Sequence, residues 1–560
     1  MTARQVRLLY IAGVILLGLL AAVQTLPPRA VALSAPLSEF SAERALVHVQ
    51  AIAREPRPFG SASFARARAY VVGELKALGL EQGSKDQLGV EAQRDPAAGN
   101  VVARIPGSNA RGAVLLVAHL DSVETSPGAT DDAAGVAVLL ETARALRLGS
   151  PLHNSVILLF TAQEEQCCAG ATAFISTHPW AKDVRLVINI DAGGLTGPAL
   201  LTATSSNNRW LIHEYGVGDP HAAGNSAEQV YGESYDDFTQ AFRPAGLPGY
   251  TFALYWDKRT HTPYDTIENT SLASIQHLGY HALALARYFG NGDLAHMRGQ
   301  NPIYFDVLRS VLVQYSTGWA FPVALVITLL MGWVTWLGMR SKQVSPRGLV
   351  GGVIPLLGSA ATAPLLVQIL WLVVSRLVVR DKHFEERSFV YQITMELIFI
   401  CASTAVVVYW RRFMGRRSAP TPSESATGVM ALLVAIGVAV SYLAPGFSYL
   451  FAWPMLFTVI ALGCRFKSPL RTRSLAGALF GVALVIALAA TVLTWVPRIV
   501  LDMFDLDMSK SYLVGLWVVL FLGMAMSQFD LLSTLGRPDK PQMHGVQVPS
   551  GPLLGRPTTR

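Results

Sequence analysis

The sequence predicts two architectures in one chain: an α/β domain of soluble character and a bundle of membrane-spanning helices. Three observations carry this reading. Only 15% of the 560 residues are charged against 51% hydrophobic, with a mean hydropathy of +0.37. Long apolar runs open the chain and dominate 301–530, whereas 39–300 has ordinary globular composition. Within 39–300, short β-rich runs alternate with helical patterns, which implies a sheet covered by helices. A soluble protein carries about 25% charged residues, so the composition excludes a wholly soluble, disordered or nucleic-acid-binding protein despite the net charge of +7. The four cysteines, Cys167, Cys168, Cys401 and Cys464, are too few for a disulfide scaffold.

Taken in order, apolar runs of about 17 to 25 residues predict spans at 8–26, 318–339, 349–374, 389–410, 428–444, 447–464, 475–496 and 512–529. The fifth and sixth are short and separated only by Pro445-Gly446, so one re-entrant hairpin is an alternative. Lys and Arg collect on cytoplasmic loops. Arg4 and Arg7, then Arg340, Lys342 and Arg347, then Arg411, Arg412, Arg416 and Arg417, then Arg465, Lys467, Arg471 and Arg473 fall on alternate loops, which become the cytoplasmic ones. The mixed loop with Arg376, Arg380, Lys382, Arg387, Asp381, Glu385 and Glu386 is then outer, as is the one where Asp502, Asp505 and Asp507 outweigh Arg498 and Lys510. Both termini are expected in the cytoplasm, and the globular part in the periplasm or exterior of a bacterium or the lumen of a eukaryote. The first span reads as an uncleaved anchor. A signal peptide ending at Ala30-Val31-Ala32 is the alternative, but the apolar run is long and Pro27-Pro28-Arg29 intervenes. The expected divisions are 1–38 anchor and linker, 39–300 exported domain, 301–530 multispanning domain and 531–560 a disordered tail.

Inside the exported domain, 42–80 is helical in pattern, with Tyr70, Val71, Leu75 and Leu78 on one face of its second part. The runs 114–117, 155–160 and 186–190 have strand length, and 133–146 is a helix. Strands apolar at every position are buried on both faces, and ligand sites in such sheets lie past the strand C-termini. Three strands lead into metal-type ligands: His119-Leu120-Asp121, then Glu164-Glu165, then Asp191. Thr130-Asp131-Asp132 opens a helix, and His261 to Thr266 lies near the domain's end. A single carboxylate after a strand is commonly a helix cap. Several converging on one edge repel unless neutralised, and two added histidines make a divalent metal the economical solution.

His119-Leu120-Asp121, Gly128-Ala129-Thr130-Asp131-Asp132-Ala133-Ala134-Gly135, Glu164-Glu165, Asp191 and His261-Thr262-Pro263-Tyr264-Asp265-Thr266 stand in the order and approximate spacing of a known family. The chain resembles the M28 family of di-zinc peptidases, which includes many aminopeptidases. The anchor, exported domain and multispanning half resemble its membrane-bound branch of endoplasmic-reticulum metallopeptidases, vacuolar membrane proteases and bacterial relatives. Ser234-Tyr235-Asp236-Asp237-Phe238 and Gly246-Leu247-Pro248-Gly249 are similar to that branch too. The resemblance implies a three-layer domain around a mixed, mainly parallel sheet, acting on peptides. It implies two Zn2+ per chain, one on His119, Asp131 and Asp191, the other on Asp131, Glu165 and His261, with Asp131 bridging. Glu164 would be the general base, and Asp121 would orient His119. Two departures stand out: Thr260 where the family often has Tyr, and Gln166-Cys167-Cys168-Ala169-Gly170 where it is small and Gly-rich. The cysteines read as small packing residues.

Other candidates carry less. His153, His178, His213 and His221 read as solvated loop residues, Asp265 as a group that fixes its loop, and Asp132 equally as a helix cap or as support for the metal centre. Glu396 lies in an apolar run and is a functional candidate by default, with snorkelling or pairing with Arg376 or Arg380 an equal reading. The expected function is a membrane-anchored zinc exopeptidase, an aminopeptidase in the first place. The alternatives are a single-zinc glutaminyl-cyclase-like enzyme and a transporter or scaffold with an exported binding domain, which would call for broken helices and polar residues within the spans. Only Glu396, Pro355 and Pro364 point that way, and the helices are expected to anchor the domain.

Overall fold

Seven strands, β1 (Glu81–Gln82), β2 (Val101–Ile105), β3 (Ala113–His119), β4 (Ser155–Thr161), β5 (Val184–Ile190), β6 (Thr196–Thr204) and β7 (Gly249–Trp256), form one sheet in the order β1-β2-β4-β3-β5-β7-β6. The structure, a computed structural model, describes residues 3–23, 26–82, 99–108, 112–166, 168–229, 235–295, 299–307, 311–377, 389–417, 420–467, 475–505 and 511–534. Cys167, Ser234, the loop charges from Arg380 to Arg387, Arg471, Arg473, Asp507, Lys510 and the tail from 535 lie outside the described residues. The central strands β4, β3, β5 and β7 run parallel, and β1, β2 and β6 add antiparallel edges. The sheet is therefore mixed and mainly parallel.

Seven helices precede the membrane bundle: α1 (Ala3–Val23), α2 (Ala42–Ile52), α3 (Ala62–Ala77), α4 (Ala133–Arg147), α5 (Ala169–Thr177), α6 (Arg209–Gly218) and α7 (Leu272–Asn291). Alternation along β3 makes three layers of all but α1. Val114, Leu116 and Ala118 join the core shared with α2, α4 and α7, while Leu115 and Val117 pack with Phe174 of α5 and with Phe238 and Phe242. Hydroxyl caps start the helices where the sequence turns from loop to apolar periodicity: Ser41, Ser61 and Ser271 accept the amides of Arg44, Phe64 and Ser274. The strands run slightly beyond their apolar runs. His119, expected just past its strand, is the last residue of β3 and pairs with Thr161 of β4.

The second half is α8 (Ala320–Arg340), α9 (Pro346–Leu377), α10 (Phe389–Arg417), α11 (Pro422–Leu443), α12 (Tyr449–Lys467), α13 (Leu475–Asp505) and α14 (Tyr512–Ser533). These seven are long and apolar enough to cross a membrane, as in a multi-pass membrane protein. Helices α11 and α12 have 22 and 19 residues, or ~33 and ~28 Å at ~1.5 Å per residue. Each matches a hydrocarbon core of about 30 Å, so each is long enough to cross by itself. Helix α9 stays continuous through Pro355 and Pro364. Helix α1 lies along α13, with Ala21 buried among Leu488 and Val492. Arg411 joins α10 to α14 through Nη2 bonds of 2.9 and 2.7 Å to both oxygens of Asp530, a pair not singled out in the sequence.

Between the halves lies a hairpin, β8 (Pro302–Val307) and β9 (Val311–Ser316). Phe305 stacks on Tyr449 with centroids 4.8 Å apart, Tyr315 meets Trp453 edge-on at 5.9 Å, and Ser226 Oγ donates to Gly446 O at 2.8 Å.

Candidate metal centre

At the C-terminal edge of the parallel strands, β3 supplies His119, the turn after β4 supplies Glu164 and Glu165, and the end of β5 leads into Asp191. The Asp131 carboxylate stands between two imidazoles, with Oδ1 3.0 Å from His119 Nε2 and Oδ2 3.0 Å from His261 Nε2. His261 Nε2 is also 3.0 Å from Glu165 Oε2, and His119 Nε2 is 3.9 Å from Asp191 Oδ1. In each of two groups, His119 with Asp131 and Asp191, and Asp131 with Glu165 and His261, one ligand atom per residue lies within 4.8 Å of the others. Glu164 lies beside them without joining either group, its Oε2 4.0 Å from His119 Nε2.

A surrounding set of hydrogen bonds holds these side chains. Asp265 Oδ1 accepts the Thr130 amide at 2.7 Å and its Oδ2 the Asp131 amide at 3.1 Å, which fixes the loop that presents Asp131. Asp132, joined to Asp131 by a cis peptide bond, caps α4 by accepting the Gly135 amide at 3.0 Å and also accepts the His119 amide at 3.1 Å. It thus acts as a cap and supports the histidine through the same carboxylate. A Cβ at Gly135 would lie 2.3 Å from Asp132 Oδ1, so that approach needs glycine. Asp121 acts differently from expectation. Its carbonyl oxygen, not its carboxylate, lies 3.1 Å from His119 Nδ1. The carboxylate oxygen is 3.9 Å from Nδ1, and the group turns instead to the amides of Glu164 and Glu165 at 3.2 and 3.4 Å. The orphan amides of the turn after β4 are stronger claimants for a buried anion than a ring already bonded to the backbone.

The electrostatics show a deficit of positive charge. Burial drives the Asp132, Glu164 and Asp191 carboxyls well above their ordinary range, and the carboxylates around them add to it. Burial also opposes charge on Asp131, but bonds from both imidazoles outweigh it and hold that carboxyl low. His261 is pushed up to about 10 by its bonds to Asp131 and Glu165. The imidazolium protons sit between carboxylates where divalent cations would displace them. Glu165 Oε1 is buried with no hydrogen-bond partner among the described residues. That orphaned oxygen, two imidazoles and the carboxylate set are the donors zinc takes.

Arg57, which the sequence did not single out, is the buried cation behind the centre, with 0% exposure. Its Nε donates to Leu120 O at 2.7 Å, its Nη1 to Pro127 O, and its amide to Ser122 Oγ at 2.9 Å. It therefore clamps the loop that runs from His119 to Asp131. Arg57→Met should cost about 3–5 kcal/mol, the usual loss when one partner of a buried charged group is removed. Thermal unfolding of the full chain checks this, and an unchanged Tm would refute the clamp. Asp265→Ala should weaken zinc binding roughly 10- to 100-fold, as loss of a ligand's supporting partner does, measured by chelator competition. Asp237, quoted in the sequence only within a motif and given no role there, accepts from Thr161 Oγ1 at 2.5 Å and faces Glu164 and Asp191, and burial pushes it up to about 7.

Cys168 is fully buried and places Sγ 3.6 Å from Glu164 Oε1. Burial pushes its thiol up, so it packs as a protonated donor. Of the histidines set aside, His153 and His213 are exposed and His221 stacks on Tyr280. His178 departs from the solvated reading: it is buried, stacked on Phe174 at 5.0 Å, and accepts the Trp180 amide at 3.2 Å. An apolar wall on one side and an open 3-10 turn on the other fit an imidazole better than water does. Glu396 of α10 is buried at 2% exposure, and its Oε2 has no partner among the described residues.

Comparison with known proteins shows what this region is similar to. Residues 100–286 match the profile of Peptidase family M28, a stretch that contains every residue of both ligand groups. The chain is 31% identical over 303 residues to human endoplasmic reticulum metallopeptidase 1, covering 49% of this chain and 33% of that protein. It is 31% identical over 223 residues to the vacuolar membrane protease of Eremothecium gossypii, covering 39% and 22%. It thus spans a third or less of the length of these relatives. Among solved structures it is similar to an aminopeptidase from Aneurinibacillus sp. strain AM-1, with TM-score 0.37, 16% identity, and 47% of this chain and 98% of that one covered.

Proposed function

We propose that the M28 region of this multi-pass membrane protein is a zinc-dependent exopeptidase that removes N-terminal residues from peptides on the non-cytoplasmic side. The observation that carries the reading is the pair of three-residue ligand groups meeting at Asp131 with Glu164 beside them. His119, Asp131 and Asp191 would hold one zinc, and Asp131, Glu165 and His261 the other. Bound there, the pair supplies the positive charge that acidifies a water and polarises the scissile carbonyl. Glu164 would take the proton of the attacking water on a carboxylate oxygen and return it to the leaving amine. Asp121 positions that base by holding the Glu164 amide. The surplus of buried carboxylates suits a substrate that brings its own cation, the free α-ammonium of a peptide. A single-zinc cyclase would need one ligand group, and both are assembled here. The alternation of basic loops supports an outer placement of the domain, with 1–38 as anchor and both termini in the cytoplasm.

The test uses the purified full chain and peptides with free or acetylated N-termini. Loss of the first residue from free peptides only, abolished by chelation and restored by zinc, is the expected result. Cleavage inside acetylated peptides would overturn the exopeptidase reading, and conversion of N-terminal glutamine to pyroglutamate would favour the cyclase.

A further inference from the structure

The edge of the sheet that carries the ligand groups is also the edge that meets the membrane helices. β3, β4, β5 and β7 are parallel, so their C-terminal ends point the same way. Three of them lead to His119, Glu164-Glu165 and Asp191, and the fourth ends at Trp256. Trp256 is 7% exposed and packed against Ile393 and Ile400 of α10 and Trp517 and Phe521 of α14.

The depth of this contact can be read from the helices. Exposed Trp319, Tyr442 and Tyr512 stand at the ends of α8, α11 and α14, where aromatic side chains mark a membrane–water boundary. Helix α8 follows the hairpin directly, and α11 ends beside the Gly446 turn that bonds Ser226, so this is the boundary nearest the peptidase domain. Trp517 and Phe521 lie one to three turns past Tyr512, ~7 to ~13 Å deeper at ~1.5 Å per residue. Trp256 therefore reaches below the aromatic belt. The Asp191 amide donates to Phe252 O at 3.0 Å, and from Phe252 the strand needs only ~13 Å to reach Trp256 at ~3.3 Å per residue. Beyond Trp256 the chain turns through Asp257, which pairs with Arg259 at 2.6 Å, and Arg259 lies over Tyr264 as the loop returns to His261. The ligand groups thus lie about one strand end from the seat of Trp256, and His261 of the second group is half-exposed.

We propose that the centre takes peptides whose far end is held in the bilayer, lipid-tethered or membrane-inserted chains with a free N-terminus lying at the interface. The proposal rests on the exopeptidase reading and adds the substrate class to it. A site at this depth binds a tethered N-terminus at the high local concentration the shared membrane imposes, and it reaches residues close to the bilayer that a raised site would leave.

The full chain is reconstituted in vesicles of phosphatidylcholine and phosphatidylglycerol and given one peptide sequence in three forms: free, tethered by a C-terminal dipalmitoyl group in the same vesicles, and tethered in separate vesicles. The same-vesicle form should be trimmed about tenfold faster or more than either other form. Mass spectrometry should find trimming continuing until about four to six residues remain outside the bilayer, the extended length that matches ~13–20 Å. Trp517→Ala with Phe521→Ala should lower the preference for the tethered form while free peptide is still cleaved. Equal rates for the three forms, or trimming that halts a dozen or more residues from the tether, overturn the proposal and leave the exopeptidase reading standing. Cleavage of no peptide at all overturns both.

Discussion

Glu164→Gln lowers turnover by about 10²–10⁴-fold, the usual contribution of a positioned acid–base group, while zinc content and thermal stability stay near those of the parent. The amide keeps the size of the side chain and an acceptor for the Cys168 thiol, 3.6 Å away, so packing survives. What it loses is the ability to accept a proton, the single function assigned to Glu164, which belongs to neither three-residue group. Steady-state hydrolysis beside zinc counted by atomic emission separates the cases. Parent-like turnover would remove Glu164 from the chemistry, and lost zinc would make it a ligand.

Asp131→Asn has the opposite signature, because it strikes both ligand groups at once. Its two oxygens each lie 3.0 Å from an imidazole nitrogen, and an amide offers one neutral oxygen where two charged ones stood. Zinc should fall to one per chain or less, and activity by about 10³-fold or more, since charge stabilisation and the acidified water both depend on the cations. The fold should persist, because the Asp131 amide bonded to Asp265 is untouched. A variant with two zincs per chain and parent-like activity would exclude Asp131 as the shared ligand.

Much of the architecture was legible because apolar pattern reports burial directly. The runs in β3, β4 and β5 are almost wholly apolar since helices cover both faces, and the spans of α8 to α14 are long since the bilayer demands length. Edge elements carried weaker signals. The edge strands β1, β2 and β6 were not recognised, nor were the inner strand β7 and the separate hairpin of β8 and β9. Arg57 was illegible for a different reason: nothing local separates it from the exposed Arg54 three residues earlier, and its role exists only through carbonyls at Leu120 and Pro127. The same holds for Asp121, whose side chain was given to the nearest histidine in sequence when the turn after β4 brought it two unpaired amides.

The sequence by itself determined the chemical inventory: the imidazoles and carboxylates, their order, the apolar lengths and the alternation of basic loops, all of which depend on residue type and spacing along the chain. Tertiary structure alone decided which carboxylate oxygen meets which imidazole, which acids support rather than face the centre, and that this edge of the sheet packs on the apolar helices. Parallel pairing aligns strand ends that are distant in sequence, and the seat of Trp256 between α10 and α14 depends on side chains contributed by both halves of the chain. Local pattern records burial and periodicity, but convergence and depth arise only when separate elements pack.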